Sequence, residues 1–274
     1  MVNEYCTRYR CALCDEVDYR QVCKKDTAQY VQCSQCGVVR QHPYPSADEI
    51  IAHYERYQSL KSEQSTYLSN EGFAAFKRDK AFTFADLRLP PDGFQGKRIL
   101  DVGCATGQFL QMMNDARAAQ VLGIDVSPEC ISTAQAQGLP CLLGDFMLLD
   151  GQFDLITMWH VIEHLPRPQD YIQHAHKLMP TGGWLLIETP VIGMISEAFG
   201  AQWRYFMPTE HINLFPIDAL IQLCNGVGFA LQGQVRFGSG NTSEVVPSIN
   251  KLAMDALAKK AGFGDTLALW MVKT

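Results

Sequence analysis

The sequence predicts an α/β fold, a doubly wound parallel sheet preceded by a small cysteine-rich module and a helical linker. Three observations predict it. Short apolar runs alternate with helical patterns from residue 98 onward, and such alternation implies a parallel sheet covered on both faces. Six of the ten cysteines fall within the first 36 residues. Proline breaks at Pro43 and Pro45, and again at Pro90-Pro91, divide the 274 residues into 1–45, 46–95 and 96–274.

Composition narrows the function classes. Apolar residues make up 47% and charged residues 19%, which is ordinary for a folded chain of this length. No run approaches the ~18 apolar residues that span a bilayer. The polar opening MVNEYCTRYRCALCDE has no apolar stretch of the secretory kind. The expectation is a cytoplasmic protein without a membrane partner, its thiols kept reduced. The formal net charge of −6 argues against nucleic acid, whose binders neutralise phosphates with a basic face. A small or peptide-like substrate is favoured. Oligomeric state leaves no mark in the sequence.

In the first module the spacing is Cys11-x2-Cys14-x18-Cys33-x2-Cys36. Each short C-x-x-C turn aims two thiolates at one point, and two such turns complete a tetrahedron around Zn²⁺. Gly37 suits the tight turn after the second pair. A segment this short buries too little apolar surface to fold alone, so the metal supplies folding free energy. A redox C-x-x-C would need one pair opening a helix in a βαβ unit, whereas these pairs sit among strand-like runs. A closed four-thiolate site leaves no open position, so the zinc is expected to be structural. Cys6 and Cys23 remain as possible replacements for a ligand.

The linker begins with Ser46 and Glu49, a capping-box pair before a helix. Residues 46–90 are expected to be mostly helical and carry Tyr54, Tyr57, Tyr67, Phe73, Phe76, Phe82 and Phe84. Such a stripe serves either core packing or a lid over a site. Strands are expected at 98–102, 121–125, 140–143, 153–158, 183–188, 230–237 and 266–273, with a helix around 244–261 before the last.

The first strand of this series ends in Asp101-Val102-Gly103-Cys104-Ala105-Thr106-Gly107 and then a helical run. A glycine-rich turn between strand and helix lets backbone approach a ligand closely, at the end of the sheet where open α/β folds bind ligands. The dinucleotide pattern is not met, because Ala105 and Gln108 stand where it requires glycines. Asp101 beside the turn would repel a pyrophosphate but attract a ligand bearing an ammonium and a sulfonium. Asp125 ends the second strand, where an acid accepts from ribose hydroxyls. Asp145 follows the third strand, placed to accept from an exocyclic amine, with Phe146 packing on a base.

In this order the features resemble the class I S-adenosylmethionine (SAM) dependent methyltransferases, whose strand-one motif is D/E-x-G-x-G-x-G. Here Ala105 replaces the middle glycine. The resemblance implies a Rossmann-like seven-stranded methyltransferase sheet with SAM as cofactor. It implies a SAM site made of Asp101, Gly103, Cys104, Ala105, Gly107, Asp125, Val126, Asp145, Phe146 and His160. Asp101 stands near the methionyl amine, Asp125 on the ribose and Asp145 near adenine.

His160-Val161-Ile162-Glu163-His164 also matches an inverted zinc-protease signature, H-x-x-E-H. That site needs both histidines inside a long helix, and Pro166 and Pro168 interrupt one here. In small-molecule methyltransferases the same residues are a signature after the fourth strand, with His160 lining the pocket and Glu163 and His164 structural. A narrower likeness, to deoxysugar C-methyltransferases that also carry a zinc ribbon, nominates His211 as general base, oriented by Glu210 and assisted by His160. Pro208 departs from those enzymes, which carry tyrosine there, so the likeness implies a shared site without requiring a shared sugar substrate. Trp203, Arg204 and Tyr205 are expected to line the substrate pocket, Arg204 suiting a carboxylate or phosphate.

The implied reaction is an in-line transfer of the sulfonium methyl to a small-molecule acceptor, such as a sugar nucleotide or another envelope or secondary metabolite. Two rivals are an rRNA or tRNA methyltransferase that uses the ribbon to bind RNA, and a SAM-binding scaffold without turnover.

Overall fold

The computed structural model describes residues 10–46, 48–50, 52–53, 69–240 and 248–274. Its N-terminal cysteines are carried on a meander of three antiparallel strands, β1 (Tyr19–Lys25), β2 (Ala28–Cys33) and β3 (Val39–His42). Gly37 takes φ 75 after the second cysteine pair, a left-handed turn that glycine adopts without steric cost.

The capping box forms as its residue types demand. The Ser46 hydroxyl accepts from Glu49 N at 3.3 Å, and Glu49 Oε2 accepts from Ser46 N at 2.6 Å, opening a helical turn at 48–50. Tyr54, Tyr57 and Tyr67 lie outside the described residues. The linker continues in α1 (Asn70–Asp86), which starts where Ser69 Oγ caps Gly72 N at 3.0 Å.

Alternation then builds the main sheet. The strands are β4 (Arg98–Val102), β5 (Gln120–Asp125), β6 (Cys141–Leu143), β7 (Leu155–Trp159) and β8 (Trp184–Pro190). Between them run α2 (Gln108–Asp115), α3 (Pro128–Ala136) and α4 (Pro168–Lys177). After β8 come α5 (Met194–Phe199), β9 (Asn213–Leu214), α6 (Ile217–Val227), β10 (Phe229–Phe237), α7 (Ser248–Ala261) and β11 (Thr266–Lys273). All seven expected strands form, in the order β10-β11-β8-β7-β4-β5-β6. The start of the expected 244–261 helix lies outside the described residues.

The sheet departs from the expectation in one respect. It is not wholly parallel, because β11 runs antiparallel to both β8 and β10. The long connection between β10 and β11, residues 238–265, carries α7 and lets the last strand run in the reverse direction. Apolar residues alternate between two cores: Leu100, Ile156 and Ile187 pack on one face, Ile99, Leu155 and Leu186 on the other. The chain leaves β4 toward β6 and returns through β7 to the opposite side. That reversal opens a crevice at the carboxyl ends of β4 and β7, where doubly wound sheets hold ligands.

The small sheet is not closed within its own module. Its order is β1-β2-β3-β9, so a strand from beyond β8 completes it. Gln41 N donates to the Ile212 carbonyl at 3.1 Å, and the Tyr44 hydroxyl to Asn213 Oδ1 at 2.6 Å. No described helix is long and apolar enough to cross a membrane.

Candidate active site

The turn after β4 runs through positive φ at Gly103 (71), Ala105 (46) and Gly107 (85). The two glycines are required by packing as well as by φ. A Cβ on Gly103 would stand 2.6 Å from Val161 Cγ2, and one on Gly107 2.5 Å from Leu139 Cδ1. Ala105 holds the same left-handed conformation with a methyl group, and its N–H donates to Asp125 Oδ2 at 2.9 Å. Asp125 Oδ1 accepts from Ser127 N at 2.8 Å, so both carboxylate oxygens are fixed across the crevice by backbone. Val126, beside it, is 68% exposed.

Asp101 lies at the floor, buried, with Oδ1 accepting from the Thr157 hydroxyl at 2.6 Å. Burial pushes its carboxyl up to about 7, against the pull of that hydrogen bond and of nearby Lys80. Asp145 is exposed and accepts from Met147 N at 2.9 Å, capping a short turn. Three acids therefore stand at the ends of β4, β5 and β6. An acidic rim with an exposed valine fits a cationic, partly apolar ligand such as SAM and disfavours a diphosphate.

Two residues nominated for this ligand point elsewhere. Phe146 is buried at 3% exposure against His174 and Tyr171, filling the core beneath the Asp145 turn rather than facing a base. The Cys104 side chain is also buried, and a Cβ on Gly123 would meet its Sγ at 2.5 Å. Only the backbone of Cys104 belongs to the turn.

His160 is held between two carboxylates. Its Nδ1 faces Glu163 Oε1 at 3.0 Å and its Nε2 faces Glu188 Oε1 at 3.5 Å. Burial works against the charged ring, but the two acids outweigh it and raise the ring to about 9. The two carboxylates on either side of the ring favour its charged form. Glu163 is fully buried, and its Oε2 accepts from the Thr189 hydroxyl at 2.9 Å. Residues 162–164 form a single 3-10 turn, with no long helix of the zinc-protease kind.

His211 is 4% exposed, and its Nδ1–H donates to the Tyr205 carbonyl at 2.9 Å. That bond sets the tautomer and leaves the lone pair on Nε2. The expected orienting partner, Glu210, does not do this. Its carboxylate faces His53 at 3.6 Å, while its carbonyl accepts from His164 Nδ1 at 2.8 Å. Consecutive residues in this loop point to opposite sides, so a backbone carbonyl two turns back does the orienting. The Tyr205 ring stacks with His160 at 6.2 Å. Arg204 is committed to Asp265, at 3.0 Å from Oδ1, and Trp203 Nε1 donates to Oδ2 of the same acid at 3.0 Å. Asp265 is completely buried, so both neighbours serve it first and Trp203 belongs to the core.

A family profile described as a methyltransferase domain matches residues 75–234, which covers most of α1, the turn, the acids and His211. The chain belongs to this methyltransferase-domain family. Among curated relatives, the ubiquinone biosynthesis O-methyltransferase of Idiomarina loihiensis is 28% identical over 166 residues, covering 50% of this chain and 68% of that protein. The corresponding protein of Chromobacterium violaceum is 33% identical over 104 residues. That match covers 34% of this chain, which spans 44% of the relative's length. Among solved structures, magnesium protoporphyrin IX methyltransferase from Synechocystis PCC 6803 with bound SAH superposes with a TM-score of 0.58 at 15% identity. It covers 83% of this chain and 100% of that one. A SAM-dependent methyltransferase from Mesorhizobium loti gives 0.54 at 20% identity, over 71% and 99%. The fold is the class I SAM-dependent methyltransferase fold.

Two charged residues of the methyltransferase domain escaped the sequence reading. Lys80 of α1 is 6% exposed, with Nζ 2.8 Å from Glu188 Oε1 and 3.9 Å from the Trp159 ring centroid. Glu188 is a lone acid inside the apolar strand WLLIETP, and an acid in a strand buried on both faces is the signal that could have found it. Nothing local marks Lys80.

In the N-terminal module the Sγ atoms of Cys11, Cys14, Cys33 and Cys36 all lie within 4.8 Å of one another, with Cys11–Cys36 at 3.4 Å and Cys14–Cys33 at 3.5 Å. Thiolates around a tetrahedral zinc stand about 3.8 Å apart, so the set fits that ion. Cys23 is not among the four; it packs against the core of Tyr30 and Trp203. Cys6 lies outside the described residues.

Proposed function

We propose that the protein transfers a methyl group from SAM to a small-molecule acceptor, with His211 as general base. The acidic rim carries the reading. Asp101, Asp125 and Asp145 end three adjacent strands, β4, β5 and β6, on the same side of the sheet in a chain of the methyltransferase-domain family. The residues that would hold SAM are these three acids, Val126, and the backbone of Gly103, Cys104, Ala105 and Gly107. Bound there, SAM supplies a methyl group already activated on a sulfonium. The chain's own work is to position an acceptor beside it and take its proton. His211 Nε2 is the atom that receives the proton, with Nδ1 anchored on the Tyr205 carbonyl. His160, clamped by Glu163 and Glu188, contributes fixed positive charge instead of basicity.

The resemblance to ubiquinone biosynthesis O-methyltransferases and to magnesium protoporphyrin IX methyltransferase favours a small acceptor. The acidic composition speaks against RNA. Cys11, Cys14, Cys33 and Cys36 hold a structural zinc in this reading. The test is labelled SAM with a cell metabolite extract in one arm and total RNA in the other. Label in a small molecule, lost in His211→Ala with SAH affinity unchanged, is the expected result. Label in RNA supports the rival enzyme, and no label in either arm supports a scaffold.

A further inference from the structure

We propose that Lys80 and Glu188 form a charge couple that sets how strongly the donor site prefers the cationic methyl donor over its uncharged thioether product. The proposal rests on the SAM reading above. Asp101 pairs across the sheet with Thr157, Thr157 with Leu186, and Trp159 with Glu188. Strand residues two apart share a face, so Glu188 stands on the Asp101 face, one row nearer the rim. Lys80 descends onto that face from α1 and touches both Glu188 and the Trp159 ring. Lys80 and Glu188 are 6% and 7% exposed, so solvent screens their fields little. The Lys80 field also reaches Asp101, whose acidity it increases.

On this face Lys80 is in contact with Glu188 Oε1, and His160 Nε2 faces the same oxygen at 3.5 Å. SAM and its product differ by a single positive charge on sulfur. Lys80 therefore subtracts from the attraction the acids exert on the sulfonium and leaves the thioether untouched. Glu188 acts in the opposite sense. Its Oε2 is buried and, among the described residues, accepts no hydrogen bond, whereas both oxygens of buried Glu163 and of buried Asp265 are occupied. An unpaired carboxylate oxygen in the interior is costly, and this one lies at the ligand-binding end of the sheet.

Calorimetric titration of the full-length protein with SAM and, separately, with S-adenosylhomocysteine reads the ratio of the two affinities. Lys80→Met should raise the preference for SAM by roughly three- to tenfold, and Glu188→Gln should lower it by a similar factor. Lys80→Arg, which keeps the charge, should hold the ratio within about twofold. A merely structural role would weaken both ligands in parallel, and that result, or equal shifts of one sign in both variants, overturns the proposal. Should Lys80→Met fail to fold, the double variant Lys80→Met/Glu188→Gln removes the pair without leaving a buried orphan charge. Its ratio should return to within about twofold of wild type, and a larger departure overturns the couple. A wild-type chain that takes up neither ligand overturns the SAM reading itself.

Discussion

The Tyr30 hydroxyl donates to the His211 carbonyl across 3.3 Å, a buried bond between residues 181 apart in the chain. It ties the cysteine-bearing module to the backbone of the proposed base. Thr209 N, two residues earlier, donates to Gln41 Oε1 at 2.7 Å, so the loop is held from the same side twice.

Tyr30→Phe removes this single hydrogen bond and keeps the ring against Phe206. The expected cost is about 1 kcal/mol, read as a shift in denaturant midpoint. Methyl transfer should fall by several-fold while SAH affinity stays unchanged, because the donor residues lie on other elements. Transfer at the wild-type rate would mean that this bond does not position His211.

Metal removal probes the same link more severely. Chelation, or Cys36→Ser, should lower the thermal midpoint and unfasten β3 from β9, carrying the His211 loop with it. Label transfer should be lost before SAH binding is. If β1 to β3 stay protected from hydrogen exchange after the metal is gone, the structural role assigned to zinc is wrong.

Asp101 makes stability depend on pH in a definite direction. Its carboxyl is raised from 3.8 to about 7 by burial, so the folded chain holds this proton more tightly than the unfolded one. The stabilising contribution is therefore complete below about pH 4 and is lost as pH rises through about 7. Asp101→Asn should flatten that slope and stabilise the ligand-free protein at pH 8 by up to a few kcal/mol. SAM affinity should fall in the same variant, and in wild type it should weaken below about pH 7. A chemical-denaturation series from pH 5 to 8 checks the first part, and calorimetry checks the second.

Much of this architecture was legible from local signals. The seven strands, the Ser46–Glu49 cap, the four-cysteine set and the turn acids each follow from periodicity or from spacing along a short stretch. What escaped depends on contacts between distant segments. Glu210 was assigned to His211 by adjacency, but in this hydrogen-bonded turn the two side chains take different partners. Phe146 looked available to a base because a turn residue follows an acid, yet the gap above Tyr171 and His174 claimed it. Lys80 gives no local cue, since its meaning comes from Glu188 more than a hundred residues away. The pairing of β3 with a two-residue strand is equally invisible, for two residues carry no period.

Ala105 offers a test of the one departure in the turn motif. Its φ of 46 costs an L-residue about 1–2 kcal/mol, part of which the looser unfolded state of a glycine gives back. Ala105→Gly should therefore stabilise the chain by up to about 1 kcal/mol and leave SAM affinity intact. A drop in melting temperature would show that the methyl group makes a contact worth more than the strain.

The borrowed fourth strand of the small sheet also decides how the chain can be cut. Clipping the first forty-odd residues would not release an intact catalytic fragment, because β9 would be left with an open ladder edge beside newly bared Leu214 and Trp203. Unsatisfied strand edges recruit other strands. Such a fragment should precipitate or pair with copies of itself, and supplying the missing meander as a separate chain should bring it back into solution.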